Sequence, residues 1–64
     1  MAFSDGDLVR VVPSGSTEPQ NAHLLGKEGK IAGEVKLISG NASYLVMFDD
    51  EGLESVKSEF LEKA

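Results

Sequence analysis

The most regular stretch of the chain is residues 30–37, Lys-Ile-Ala-Gly-Glu-Val-Lys-Leu, which alternates between two faces of different polarity. An alternation with a period of two is typical of a strand with one buried face. The predicted buried face consists of Ile31, Gly33, Val35 and Leu37. Residues 44–48, Tyr-Leu-Val-Met-Phe, are rich in aromatic and branched side chains and indicate another strand. Ser39-Gly40-Asn41 lies between them and predicts a hairpin turn, because Gly and Asn tolerate positive φ angles.

A further strand is predicted before this hairpin, and a long loop connects the two. Residues 8–12, Leu-Val-Arg-Val-Val, form this first strand, which ends at Pro13 because proline has no N–H to donate to a neighbouring strand. Residues 14–25 begin polar and end apolar. This pattern predicts a surface loop whose last turn packs on the core through Leu24 and Leu25.

Three glycines mark predicted changes of chain direction. Gly26 and Gly29 flank a Lys-Glu pair and predict a bend that starts the strand after the long loop. Residues 49–52, Asp-Asp-Glu-Gly, predict a second turn, in which Gly52 can adopt the left-handed conformation. The three acids of this turn are expected to be solvated.

The chain after residue 52 fits two alternative structures. Its apolar residues recur at the spacing of an amphipathic helix, and they are Leu53, Val56, Phe60 and Leu61. A helix packed on three strands, however, would leave the edge strands of the sheet uncovered. In the alternative, residues 53–56 form a short strand, residues 57–60 form a single helical turn, and residues 61–63 form a last strand that pairs with the first and closes a barrel.

The length and composition of the chain limit the classes of protein to which it can belong. Sixty-four residues predict one domain with a small core, because a chain of this size buries only about 60% of its unfolded surface. The absence of cysteine excludes disulfide bonds and thiolate metal sites. No apolar run approaches the roughly 18 residues of a membrane span, and residues 1–5 lack the pattern of a signal peptide. We therefore expect a single cytoplasmic domain comprising residues 1–64.

The distribution of charge argues against nucleic acid as a partner. The formal net charge is −5, and residues 49–64 carry −4 of it, from six acids and two lysines. Arg10 of the first strand is expected to form a surface ion pair with one of these acids, such as Glu62. Residues 26–48 carry +1, from three lysines and two glutamates. Because affinity for nucleic acid depends on clustered Lys and Arg that displace counterions from the phosphates, the sequence disfavours such a partner.

The sequence contains no recognisable catalytic or metal-binding set. His23 is the single histidine, and neither a nucleophile motif nor a second metal ligand accompanies it. Asp5-Gly6-Asp7 lacks the spaced carboxylates of a calcium loop, and residues 26–30 lack the spacing and the hydroxyl residue of a phosphate loop. We therefore expect a protein that is not an enzyme and that takes no cofactor, metal or small-molecule substrate.

A candidate protein-binding surface follows from the predicted strands. If alternate residues of the strand at 44–48 face the core, then Leu45 and Met47 face outward on a domain too small to hide them. We expect Lys30 and Lys36 to lie on the same outer face. The result is a mixed apolar and basic surface suited to an acidic protein partner. In the alternative, the long loop covers Leu45 and Met47.

The order of the predicted elements resembles a known group of small SH3-like barrels. The residues that carry the resemblance are Gly6, Val9, Arg10, Val11, Gly26, Lys27, Gly29, Gly33, Val46, Phe48, Asp49, Asp50, Phe60, Leu61 and Glu62. The group comprises accessory proteins of electron transport, including the PsaE subunit of photosystem I and the PetP subunit of the cytochrome b6f complex. The resemblance favours an all-β, five-stranded SH3-like barrel with one helical turn near its C-terminus over a three-stranded sheet with a C-terminal amphipathic helix.

The resemblance also implies a function. It implies a non-catalytic accessory subunit of a membrane-associated photosynthetic electron-transfer complex, as in cyanobacteria, which docks on the cytoplasmic side through a sheet face and the long loop. The residues that bind the partner would then be Lys30, Lys36, Leu45 and Met47. The bend and the strands after it also resemble the KOW modules of ribosomal and transcription proteins, which would imply a nucleic-acid-binding module instead.

Overall fold

The computed structural model describes residues 3–36 and 42–64, which form five antiparallel strands and two short 3-10 turns. The strands are β1 (Leu8–Val11), β2 (Glu28–Lys36), β3 (Ala42–Phe48), β4 (Gly52–Lys57) and β5 (Leu61–Lys63). The first 3-10 turn is Ala22–Leu24 and the second is Ser58–Phe60. The turn predicted at Ser39-Gly40-Asn41 lies, with Leu37, outside the described residues. Within those residues, no helix is long and apolar enough to cross a membrane.

One sheet contains all five strands, in the order β4-β3-β2-β1-β5. The last strand pairs with the first, with Leu61 opposite Val11 and Glu62 opposite Arg10. The fold is therefore all-β, and the alternative of a three-stranded sheet with a C-terminal helix is wrong. Across residues 3–36 and 42–64, no backbone pairing joins β4 to β5, so the hydrogen-bonded ladder has two edges and is not a closed barrel.

The helix-like spacing in the tail arises from three different elements. Val56 on β4, Phe60 in the second 3-10 turn and Leu61 at the start of β5 are all buried in the same core. The 3-10 turn advances the chain between two strands, so the core residues recur at intervals that would also suit a helix. Leu53 does not belong to this set, because it lies on β4 opposite Met47 and is exposed.

The core is a single cluster to which every strand and both 3-10 turns contribute. Its buried residues are Val9, Val11, Leu24, Ile31, Tyr44, Val46, Phe48, Val56, Phe60 and Leu61. Phe3 packs against this cluster, with its ring edge-on to Tyr44 at 5.3 Å between ring centroids. The backbone N–H of Phe3 donates a hydrogen bond to the Tyr44 hydroxyl at 3.0 Å. The segment before β1 therefore covers part of the core and satisfies a buried hydroxyl group.

An irregularity in β2 changes which of its residues face the core. Its pairing with β3 shifts register between Ile31 and Gly33. Beyond the shift, Val35 is 43% exposed and lies opposite Ser43, which is buried but is on the same side of β3 as Leu45 and Met47. The uninterrupted alternation predicted for residues 30–37 is therefore wrong beyond Ile31, because an extra residue at a bulge moves the following side chains to the other face.

The end of the long loop is anchored on the core by one of its two leucines. Leu24 is fully buried, as predicted, whereas Leu25 remains 39% exposed. The backbone N–H of Gly26 donates to the carbonyl oxygen of Val11 at 2.8 Å. This bond continues the pairing of β1 with β2, so the loop returns to the sheet next to the residue at which β1 ends.

The two edges of the sheet are short or partly covered. β5 has only three residues. At the edge of β4, the side chain of Asn21 in the long loop donates a hydrogen bond from Nδ2 to the carbonyl oxygen of Ser55 at 2.9 Å. Short and covered edges limit the pairing of a sheet with other chains.

Candidate functional site on the outer face of the sheet

Four side chains form a row across the outer face of the sheet, which we call the outer row. They are Leu8 on β1, Lys30 on β2, Met47 on β3 and Leu53 on β4. Each is the direct cross-strand partner of the next, so all four share one face. The three apolar members are 54%, 49% and 49% exposed in that order. The outer row is therefore an exposed apolar stripe with one lysine within it.

The strands expose this row because their alternate residues form the core. On β3, Tyr44, Val46 and Phe48 are buried, and Leu45 and Met47 are left on the outer face, as the sequence predicts. Leu45 lies two residues before Met47 on β3, on the same face, and is half-buried. The alternative in which the long loop covers Met47 is wrong, since about half of this side chain is exposed.

Three of the four residues predicted to bind a partner lie together on this face. They are Lys30, Leu45 and Met47. Lys36 does not join them, because it is opposite Ala42, which packs against the core. The register shift in β2 separates Lys36 from Lys30. The placement of Lys36 on the outer face is therefore wrong, although its side chain is exposed near the end of β2.

The structure adds three residues to this face that the sequence interpretation did not select. Leu8 and Leu53 belong to the outer row, and Lys57 lies further along β4, opposite Ser43. The alternation along β1 carried a signal for Leu8, since it shares a face with Arg10. Leu53 carried no such signal, because its spacing also suits the buried face of a helix.

Next to the outer row, Arg10 is held between two glutamates from the strands on either side of it. Its Nη2 lies 2.7 Å from Glu28 Oε2, and its Nη1 lies 3.2 Å from Glu62 Oε2. The expected pair with Glu62 is confirmed, and Glu28 completes the group. The hydrogen bond that Arg10 donates to Glu28 is the main reason why the pKa of Arg10 is raised above its ordinary value. All three side chains are exposed, so solvent screens the stabilisation they provide.

Among the described residues, Lys30 forms no ion pair with a carboxylate, as is also true of Lys36 and Lys57, whereas three other cations do. Arg10, Lys27 and Lys63 each lie within 4.0 Å of a carboxylate oxygen. No ion pair of this length includes Lys30 in the part of the chain that the structure describes. The outer row thus presents a positive charge that no such pair neutralises, in line with three exposed apolar side chains.

Acidic side chains of the turn between β3 and β4 contact basic side chains at the end of the long loop. Lys27 Nζ lies 2.8 Å from Asp50 Oδ2 and 3.9 Å from Glu51 Oε2. His23 Nε2 lies 3.6 Å from Glu51 Oε1. The turn is exposed, as predicted, but two of its acids also contact basic side chains. Gly52 ends it with a φ of +76°, which confirms the predicted left-handed conformation.

We expect Asp50→Asn to lower the thermal midpoint, Tm, in a pH-dependent way. The hydrogen bond from Lys27 lowers the pKa of Asp50 in the folded state. The ionised carboxylate therefore stabilises the fold above the pKa of the unfolded chain, about 3.9, and this contribution is lost as the pH falls through the lower, folded-state pKa. The difference in Tm from the wild type, measured by circular dichroism, should be present at pH 7 and disappear in strong acid. It should be small and weaken in high salt, because both side chains are exposed.

Asp49→Asn is the matched control for this measurement. Asp49 lies in the same turn, and none of the ion pairs among residues 3–36 and 42–64 includes it. Its variant should not show the loss in Tm at neutral pH. Equal Tm values for the two variants at every pH would contradict a stabilising role for the pair of Lys27 and Asp50.

The outer row is the feature of this domain on which a functional proposal rests. Comparison of the chain with protein-family models, with curated proteins and with solved structures found no match. The proposal therefore has two supports, which are the geometry and charge of the outer face and the residues that resemble the electron-transport barrels.

Proposed function

We propose that the chain is a non-catalytic docking module that binds a larger protein assembly through the outer row. The observation that carries the proposal is the alignment of three exposed apolar side chains in one cross-strand row with Lys30. Single exposed apolar residues are normal on small proteins, but three of them in one cross-strand row favour an interaction site. The four strands under this row each contribute a residue to the core, so they hold its side chains on a rigid support.

The fold of the module in this proposal is an SH3-like barrel. Three features support it: the pairing of the last strand with the first, the long loop after β1, and the 3-10 turn directly before β5. The radius of gyration of the Cα atoms is 10.5 Å, and one core is shared by all five strands. These properties fit a sheet that curls around its own core, with β4 and β5 as its edges.

The assembly that we propose as the partner is a membrane electron-transfer complex, bound from its cytoplasmic side. This part of the proposal rests on the resemblance to the PsaE and PetP barrels. Several residues that carry the resemblance have structural roles here: Gly29 is buried in β2, Phe60 and Leu61 lie in the core, and Lys27 pairs with Asp50. Residues of this kind stabilise the fold of the domain, whereas the exposed outer row is available to a partner.

A pull-down with the tagged chain, from gently solubilised membranes of its native host, tests the proposal. Bound proteins are identified by mass spectrometry for the wild type and for Met47→Glu. We expect the wild type to retain cytochrome or photosystem subunits. Met47→Glu should reduce their recovery by about tenfold or more, because it replaces an apolar contact by a charged side chain that loses its water in an apolar interface, even with Lys30 opposite it. Leu25→Glu is the matched control, since Leu25 is also an exposed apolar residue. It should bind normally, because the proposal places the contact on the outer row and not on the long loop.

Three outcomes would contradict this proposal. Equal recovery by the wild type and Met47→Glu, with both folded by circular dichroism, would exclude the outer row as the docking surface. Ribosomal or polymerase proteins, together with RNA affinity that falls steeply as salt rises, would favour the KOW-type alternative instead. Recovery no higher than that of an untagged control would refute docking on either kind of assembly.

A further inference from the structure

We infer that the partner of this module presents a carboxylate to Lys30 from within an apolar surface. The inference rests on the proposed docking function and specifies the chemistry of the partner. Two observations carry it. Lys30 stands between Leu8 and Met47 in the outer row. Among the described residues, no carboxylate oxygen lies within 4.0 Å of its ammonium group.

Docking on the outer row removes water from the Lys30 ammonium group. Its neighbours on both sides in the row are apolar, so a partner that covers Leu8 and Met47 also covers Lys30. An ammonium group that loses its water without gaining an acceptor is strongly unfavourable. A carboxylate of the partner offsets this loss by accepting a charge-assisted hydrogen bond.

The two acids that line the same depression as Leu8, Lys30 and Met47 do not fill this role. Glu28, on the same strand as Lys30, accepts a hydrogen bond of 2.7 Å from Arg10. Asp49 follows β3 and lines a shallow depression together with Lys30 and Met47, but it lies beyond ion-pair distance from Lys30. The ammonium group therefore keeps its capacity to pair with an acid of another molecule.

The chemistry of the row favours an isolated carboxylate over an extended acidic surface. The chain carries a net charge of −5, and Glu28 and Asp49 lie beside the row. An extended acidic surface of the partner would be repelled by the net negative charge of the chain and by Asp49, whereas for one carboxylate the pairing with Lys30 offsets this repulsion. Apolar side chains around that carboxylate would cover Leu8, Met47 and Leu53. The outer row therefore favours a partner surface on which one carboxylate is surrounded by apolar side chains.

Zero-length cross-linking with a water-soluble carbodiimide tests the inference on the complex recovered in the pull-down. The reagent activates a carboxylate, and an amine in contact with it displaces the activating group and forms an amide bond. We expect the main intermolecular cross-link of the wild type to join Lys30 to an Asp or Glu of the partner. Lys30→Arg keeps the charge but has no amine that couples, so it should lose this cross-link and bind within about threefold of the wild type.

Two further variants measure the contribution of the charge. Lys30→Glu should weaken binding by about tenfold or more, because it places two carboxylates opposite each other. Lys36→Glu makes the same change of charge on the same strand but on the other face, and it should bind within about twofold of the wild type.

The outcomes separate this inference from the proposed function. If the wild type cross-links only through other lysines, such as Lys57, and Lys30→Glu binds as tightly as the wild type, the inference is wrong and docking stands. If the wild type forms no complex, the proposed function fails and the inference fails with it. A Lys30 cross-link that is absent in Lys30→Arg, together with weak binding by Lys30→Glu, supports the inference.

Discussion

Replacing Leu24 with alanine is expected to lower the free energy of unfolding by about 2–5 kcal/mol. Leu24 is fully buried and belongs to the core, although it lies in the loop between β1 and β2. The backbone around it is hydrogen-bonded, with its N–H donating to Asn21 at 2.8 Å and its carbonyl accepting from Lys27 at 2.9 Å. The turn is thus held in place, and the shortened side chain leaves a cavity that the backbone cannot readily fill.

Urea denaturation followed by circular dichroism measures this loss. For a domain of 64 residues the total free energy of unfolding is typically about 3–10 kcal/mol, so the loss is a large share of it and Leu24→Ala should unfold at a much lower urea concentration than the wild type. Leu25→Ala is the matched control, because it makes the same truncation at an exposed neighbour, and it should cost less than about 1 kcal/mol. Equal losses for the two variants would contradict the assignment of Leu24 as the anchor of the loop.

Gly29→Ala is expected to destabilise the domain by about 1–3 kcal/mol or more, although alanine usually suits the interior of a strand better than glycine. A Cβ atom on Gly29 would lie 2.7 Å from the carbonyl oxygen of Met47 and 2.7 Å from Val46 Cγ1. The first of these atoms belongs to the backbone of β3, which is paired with strands on both sides. β3 cannot move away without disturbing both pairings, so the added methyl group strains the sheet.

Gly33→Ala is the matched control on the same strand. A Cβ atom at Gly33 would have Leu45 Cδ1 as its nearest neighbour at 3.8 Å, which is an ordinary contact. We expect this variant to stay within about 0.5 kcal/mol of the wild type or to be slightly more stable, because alanine restricts the unfolded chain. The urea midpoints of the two variants test the difference. If Gly29→Ala matched Gly33→Ala, the close approach of β2 and β3 at Gly29 would not be rigid.

Gly29 also shows how far a local pattern can be interpreted. The spacing of Gly26 and Gly29 predicted a bend before the strand, but Gly29 is a buried residue inside β2, opposite Val9. Glycine is required there because the carbonyl oxygen of Met47 and the side chains of Val46 and Phe48 leave no room for a Cβ atom. The residues next to Gly29 in the sequence do not predict this contact, because it is made with residues of β3, which lie further along the chain.

The tail shows the same limit for secondary structure. The spacing of Val56, Phe60 and Leu61 suited a helix or two strands joined by a turn, and the local pattern did not distinguish between them. Pairing of β5 with β1 decides between them, because it covers the edge of β1 that a helix would have left open. That partner strand lies about fifty residues earlier in the chain.

The candidate site, too, was only partly predictable from the sequence. Met47 and Leu45 were identified from the sequence, because alternation along β3 is uninterrupted and residues on one strand face opposite sides in turn. Lys36 was misplaced because the register shift in β2 lies between it and Lys30. Leu8 could be inferred to face outward, but not that it lies in line with Met47.

The sequence pattern alone was sufficient for strands β1, β2 and β3 and for the outward face of β3, because alternation and turn preferences act between neighbouring residues. The all-β class depended on the tail, whose local pattern suited a helix as well as two strands. The alignment of Leu8, Lys30, Met47 and Leu53 into the outer row depends on the register of four strands. Register is set by contacts between distant segments, by the shift after Ile31 and by the close approach at Gly29. These contacts arise only when the chain folds, so the composition of the proposed docking surface is a property of the tertiary structure.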